Sequence, residues 1–176
     1  MRNTKTLNKF EKTLEYWNDE LTKYDFDTLL EKPNSESWSM GQVYIHLINS
    51  TLSFHLQQVK TCLENKEHSE KKKNFKGIMT YTILGSFPPI KIKVPPSEFY
   101  SPLQPESKAQ IIKGLSKVKT EMELTLPKLE TEKQGKTNHP GFSYLNGNEW
   151  YRLIEMHFRH HLRQKARIDK YLKEVK

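Results

Sequence analysis

The chain has 176 residues, with 29 Lys and Arg against 21 Asp and Glu, seven His and one Cys, a length that suits a single domain over 1–176. Leu, Ile, Val and Phe number 19, 10, 5 and 8, enough to exclude global disorder, and no apolar run approaches the roughly 20 residues of a membrane helix. Cys62 has no second cysteine to pair with, and Met1 to Thr6 leads into no apolar signal region, so a soluble cytoplasmic protein is expected.

Leu7, Phe10, Leu14, Trp17, Leu21 and Tyr24 recur at alternating three and four residues and predict a first helix over about Thr6 to Asp25. Pro33 to Ser37 is a loop by composition, and Ser39-Met40-Gly41-Gln42 has the form of a capping box, so a second helix starts at Ser39 and runs to about Asn65. Lys66 to Ser107, punctuated by Gly77, Gly85 and six prolines, breaks every helical period. It reads as a long crossover that packs over the bundle or closes on it, with a short helix over Phe75 to Leu84 and an extended run over Ile90 to Val94.

Beyond Pro105, the residues Ile111, Leu115, Val118, Met122, Leu126 and Leu129 mark a third helix, with Pro127 arguing for a kink or an early end. Gly135 to Gly147 is a second loop, and the last helix opens near Asn146 or Asn148 and runs almost to Lys176. Four amphipathic helices with one long connection make an all-α protein, a four-helix bundle with the crossover between its second and third helices.

Net charge is +8, and the densest basic cluster, Lys66 to Lys76, raises nucleic acid as a partner. The other lysines alternate with glutamates along helical segments, so a solvated face outweighs a phosphate-binding stripe.

The last helix holds an anomaly. Stepping from Trp150 by four and three gives Ile154, His157, His161, Gln164, Ile168, Tyr171 and Val175, a core seam whose middle three positions are polar. Burying unpaired imidazoles costs roughly 1–3 kcal/mol apiece, so these groups need partners. Histidines four apart share a helix face and can converge on one ion, and a satisfied structural pair is the alternative.

A third ligand is sought among His46, His55, His68, His139 and His160. His46 lies in a polar band of the second helix with Gln42, Asn49, Ser50 and Ser53, flanked by apolar stripes; a pocket wall and a solvent face both fit that pattern. His55, nine residues on, is half a turn away and is excluded from the site. His68 and His139 sit in loops as solvent or capping residues. His160, about 100° from His161, is placed beside the ligands or at the pocket rim, or plainly on the surface. Gln164 is placed to bond a ligand imidazole, a metal-bound water or a substrate, or to bridge to a neighbouring helix.

Trp38-Ser39 with Gln42 and His46-Leu47, together with His157-Phe158-Arg159-His160-His161-Leu162-Arg163-Gln164, resemble motifs of the DinB/YfiT-like superfamily, and Asn138 to Phe142 with Glu149-Trp150 resembles its lead-in to the last helix. The resemblance implies a bundle running up-down-down-up and a divalent metal on three histidines, matching His46, His157 and His161. It also implies a small-molecule substrate and, from thiol-dependent transferases and isomerases in the family, a low-molecular-weight thiol as co-substrate.

Zn²⁺ or Ni²⁺ leads as the cofactor, although three imidazoles do not by themselves select the metal. A metal-dependent transferase or hydrolase is therefore expected, with a non-catalytic helical scaffold as its rival. Nucleic acid and membrane are disfavoured as partners, and a homodimer is compatible with the bundle. Phe158 stands where the metalloprotease helix motif carries its glutamate base, which disfavours a peptidase.

Overall fold

The computed structural model of the protein describes residues 2–87, 102–131 and 134–175. Helix α1 (Arg2–Thr22) buries Leu7, Phe10, Leu14, Trp17 and Leu21 on one stripe, as their three-four spacing dictates. A short helix that sequence periodicity is too coarse to register, α2 (Phe26–Leu30), follows on an Asp25 cap whose carboxylate accepts from the Thr28 amide. The second long helix consists of α3 (Met40–Ser50), a π-helical turn over Thr51–His55, and α4 (Leu56–Glu64). Its N-terminus carries the expected capping box: Ser39 Oγ accepts from Gln42 N at 3.1 Å, and Gln42 Oε1 accepts from Ser39 N at 3.0 Å.

The crossover contains α5 (Phe75–Ile78), which passes into a second π-helical turn over Met79–Leu84 and so fills the span expected to be helical. The extended run expected over Ile90 to Val94 lies outside the described residues. The returning chain docks on the start of α3, where Gln42 Nε2 donates to Pro102 O at 2.6 Å and Gln104 Nε2 donates to Leu30 O at 2.9 Å. Gly41 makes this approach possible, since a Cβ there would lie 2.7 Å from Pro105 Cγ and 2.8 Å from Leu29 O.

Helix α6 (Lys108–Thr131) buries Ile111, Leu115, Val118, Met122 and Leu129 and continues through Pro127 rather than ending there. The second expected loop is a hairpin, β1 (Lys136–His139) against β2 (Ser143–Asn146), antiparallel with Thr137 opposite Leu145. Four-residue strands with polar faces carry too little alternation to be read from sequence. Helix α7 (Gly147–Val175) opens on a reciprocal cap in which Asn146 and Glu149 side chains accept from each other's amides at 2.9 and 3.0 Å.

Named contacts fix the helix directions. Asn3 meets Asn148, Lys165 meets Glu20, and Tyr24 meets Asp169, a constant offset that makes α1 and α7 parallel. His46 and Ser50 approach His157, while His55 approaches Trp150, so α3 and α4 run antiparallel to α7. Lys108 Nζ donates to Tyr24 O, and Tyr151 OH donates to Met122 O, which sets α6 antiparallel to α1 and α7. The order is therefore up-down-down-up, and two parallel neighbours in sequence require the long crossover.

Trp17, fully buried, donates to Phe158 O at 3.3 Å and accepts at its own carbonyl from Tyr44 OH at 2.8 Å, locking α1, α3 and α7 together. No helix among the described residues is long and apolar enough to cross a membrane.

Candidate metal centre

His46 projects from α3, and His157 and His161 project one turn apart from the antiparallel α7. Their Nε2 atoms converge: His46 to His157 is 3.1 Å and His161 to His157 is 3.0 Å. Among the described residues this trio is the one group of histidine, cysteine or acidic side chains placed to share an ion, and it contains no carboxylate. His161 is buried and the other two are half-buried.

Hydrogen bonding decides what three such nitrogens can do. Gln164 Oε1 lies 2.8 Å from His161 Nδ1; an amide oxygen only accepts, so Nδ1 carries the proton and Nε2 presents a lone pair. Behind His157, Ser50 Oγ is 3.5 Å from Nδ1. Lone pairs facing one another at about 3 Å repel, and one shared proton relieves a single pair at a time, whereas a cation at the centre satisfies all three. Nitrogens about 2.0–2.1 Å from a tetrahedral zinc lie about 3.3 Å apart, within a few tenths of an ångström of the two spacings to His157, and all three nitrogens lie within 4.8 Å of one another. The residues therefore fit a divalent metal.

Burial pushes the His46 imidazole down to about 4. Burial, with His46 and His160 nearby, pushes His161 down to about 3. His157 is held well below the usual range by burial and by the surrounding imidazoles, His161 foremost. All three are neutral near pH 7, the state in which an imidazole offers a lone pair to a metal.

The centre is walled by rings. Trp38 lies 4.9 Å from His46, and Phe87, from the crossover, lies 5.2 Å from His160 and 6.5 Å from His157. Phe87 thus packs against this part of the bundle. His160 stands beside the trio, its ring 5.4 Å from His161 and its buried Nδ1 without a hydrogen-bond partner among the described residues.

Two expected pocket residues direct their polar groups to other partners or to solvent. Gln42 has both polar ends committed, one to the Ser39 cap and one to Pro102, and Asn49 is exposed to solvent. Ser50, four residues after His46 and hence on the same helix face, stands behind the centre instead.

His55 is the main correction. Nine α-helical residues would set it half a turn from His46, but its ring is buried 5.2 Å from His157 and 6.0 Å from Trp150. The π turn is the cause: Leu56 N donates to Thr51 O five residues back, which absorbs about one extra residue and turns His55 inward by about 100°. Its Nδ1 is buried with no hydrogen-bond partner among the described residues, and burial, with His139 and His46 nearby, pushes the ring down to about 3. The Thr-Leu-Ser-Phe-His run carries no signal that separates a π turn from an α turn.

His139 does cap its turn, accepting from Gly141 N at 2.9 Å, but it also stacks on Phe142 at 4.6 Å and is pushed by burial to about 4. His68 is exposed beside Tyr144.

The Gln164 contact yields a direct expectation. Gln164→Leu removes the acceptor that fixes the His161 tautomer and should weaken metal affinity by about 10–100-fold, measured by chelator competition; unchanged affinity would show that the tautomer is set by something else.

Comparison with curated proteins and with solved structures returned no match. A model of the DinB superfamily matches residues 9–164. That span takes in His46, His157, His161 and Gln164 and runs from within α1 to within α7, and the chain belongs to the DinB superfamily.

Proposed function

We propose that the protein is a metal-dependent enzyme in which His46, His157 and His161 hold one divalent cation, Zn²⁺ or Ni²⁺, and a small electrophilic substrate is attacked by a low-molecular-weight thiol or by water. The observation that carries this reading is the convergence of three neutral Nε2 atoms with no carboxylate among them. A bound cation there keeps its full +2 charge and supplies the Lewis acidity that yields thiolate or hydroxide at neutral pH.

The chain's own residues set the conditions. Gln164 orients His161, and Ser50 backs His157. Trp38 and Phe87 limit water around the imidazoles, which strengthens electrostatic interactions inside. His55, buried with an unpaired nitrogen, packs its ring 5.2 Å from His157 and helps to position that imidazole.

The test is metal analysis of the purified full chain followed by turnover assays with a panel of small thiols and hydrolysable substrates. Metal-dependent turnover that is absent in His157→Ala is expected. A fully metal-loaded protein inert across the panel would contradict the enzyme reading and favour a scaffold.

His55→Leu separates function from structure. Removing an unpaired buried nitrogen should leave stability unchanged or raise it by about 1 kcal/mol, while turnover falls at least tenfold. A destabilised variant with normal turnover would assign His55 to packing. No observation favours nucleic acid at Lys66 to Lys76, where Lys73 turns inward to pair with Glu149.

A further inference from the structure

A cavity of about 190 Å³ lies between α1 and α7 beside the Gly85 turn. The parallel helices line it together, Arg2, Lys5 and Lys9 from α1 and Arg152, Glu155 and Arg159 from α7. Both trios follow an i, i+3, i+7 spacing, so each presents one stripe to the same space. Glu155 and Arg159 each precede a metal-site histidine by two residues, about 200° around α7. The cavity therefore opens on the side of that helix away from the metal centre.

Its charge is lopsided. Five cations meet a single carboxylate, and that carboxylate is spent: Arg159 Nε and an Arg159 terminal nitrogen donate to Glu155 at 2.8 and 3.0 Å. The same Arg159 nitrogen donates to Gly85 O at 2.9 Å, and Arg152 donates to Tyr81 O at 2.8 Å, so both guanidiniums are held in place before any ligand arrives. Arg152 has five N–H donors and uses one of them among the described residues. Arg2, Lys5 and Lys9 have no ion-pair partner there. Burial and the nearby cations Arg2 and Arg159 depress Arg152, the direction expected where like charges crowd. Gly85, at φ +60, keeps the floor open, because a Cβ there would lie 3.1 Å from an Arg152 terminal nitrogen.

We propose that this cavity is a binding site for a small phosphate-bearing anion, an inorganic phosphate or a compact phosphomonoester. Fixed guanidiniums with unused donors suit the geometry of phosphate oxygens, and mobile lysines on the facing helix supply additional charge. The volume is below the roughly 300–1,000 Å³ typical of drug-sized ligands, which selects a compact ligand over a nucleotide or a larger cofactor.

Calorimetric titration of the metal-loaded full chain at physiological salt, with inorganic phosphate, glycerol phosphate and heparin in separate arms, tests the site. Saturable one-to-one binding of phosphate or of glycerol phosphate is expected, and whichever arm binds tighter identifies the source. Lys5→Glu with Lys9→Glu, both exposed positions, should weaken that binding at least tenfold, and Arg152→Gln should do the same, with metal content unchanged in each. The proposal is overturned if neither phosphate ligand binds saturably, if only heparin binds, or if the lysine double variant binds as the parent does. Because metal content is read independently, a phosphate site that fails leaves the metal centre standing, and the reverse also holds.

Discussion

His157→Ala is expected to lower bound divalent metal from about one equivalent per chain to below about a tenth after equilibration with Zn²⁺ and exhaustive dialysis, read by elemental analysis. His157 is the shared member of both short nitrogen contacts, 3.1 Å to His46 and 3.0 Å to His161. Without it, the remaining ligands come from two different helices with no third nitrogen to close the chelate. Groups merely bonded to metal ligands change affinity by 10–100-fold, so loss of a ligand itself should exceed that range. The fold should survive, because His157 is only half-buried and the surrounding seam, Trp150 and Ile154 below and Ile168 above, remains packed. Circular dichroism of the variant separates metal loss from unfolding, and full metal retention by a folded variant would contradict the site.

Lys165→Ala should produce the largest loss of stability, about 3 kcal/mol in urea denaturation. Its ammonium is buried between α1 and α7, 2.5 Å from Glu20 and 2.6 Å from Asp169, and within 5.7 Å of the Tyr16 and Tyr24 rings. Removing one partner of a buried pair costs about 3–5 kcal/mol, because the other charges stay behind unpaired. Lys23, which still reaches Glu20, places the expectation at the lower end. A loss under about 1 kcal/mol would show that water compensates the carboxylates.

The same network gives acid sensitivity. Burial pushes the Glu20 carboxyl up, but Lys165 and Lys23 more than offset it and hold it below the usual 4.5. A carboxyl depressed by folding contributes stability that is present above its unfolded pKa and lost as pH falls through the folded one. Urea midpoints of the parent should therefore drop below about pH 4.5 more steeply than those of Glu20→Gln.

The helical frame was legible because apolar spacing and caps are local. The stripe Leu7 to Leu21 and the Ser39–Gln42 cap follow from sequence period and side-chain chemistry, and the His157–His161–Gln164 break in the α7 seam is visible as polar groups where apolar ones belong. The meeting of His46 with that break is a property of helix pairing, and the polar band of α3 alone fitted solvent as well as a pocket. Asn49 and Gln42 shared that band, yet one faces water and the other is consumed by a cap.

What resisted reading lies outside what apolar spacing and residue preference encode. The π turn over Thr51–His55 rephases α4 against α3 and carries His55 against His157, and no residue preference encodes that turn. The charged groove likewise depends on α1 and α7 lying parallel, because neither stripe of three residues signals anything until the other faces it.

X-ray absorption at the metal edge of the loaded full chain tests the central claim most directly. Scattering from three imidazoles at about 2.0–2.1 Å is expected for zinc, falling to two in His46→Ala. A first shell made of oxygens alone, or an imidazole count unmoved by His46→Ala, would contradict a cation shared by α3 and α7.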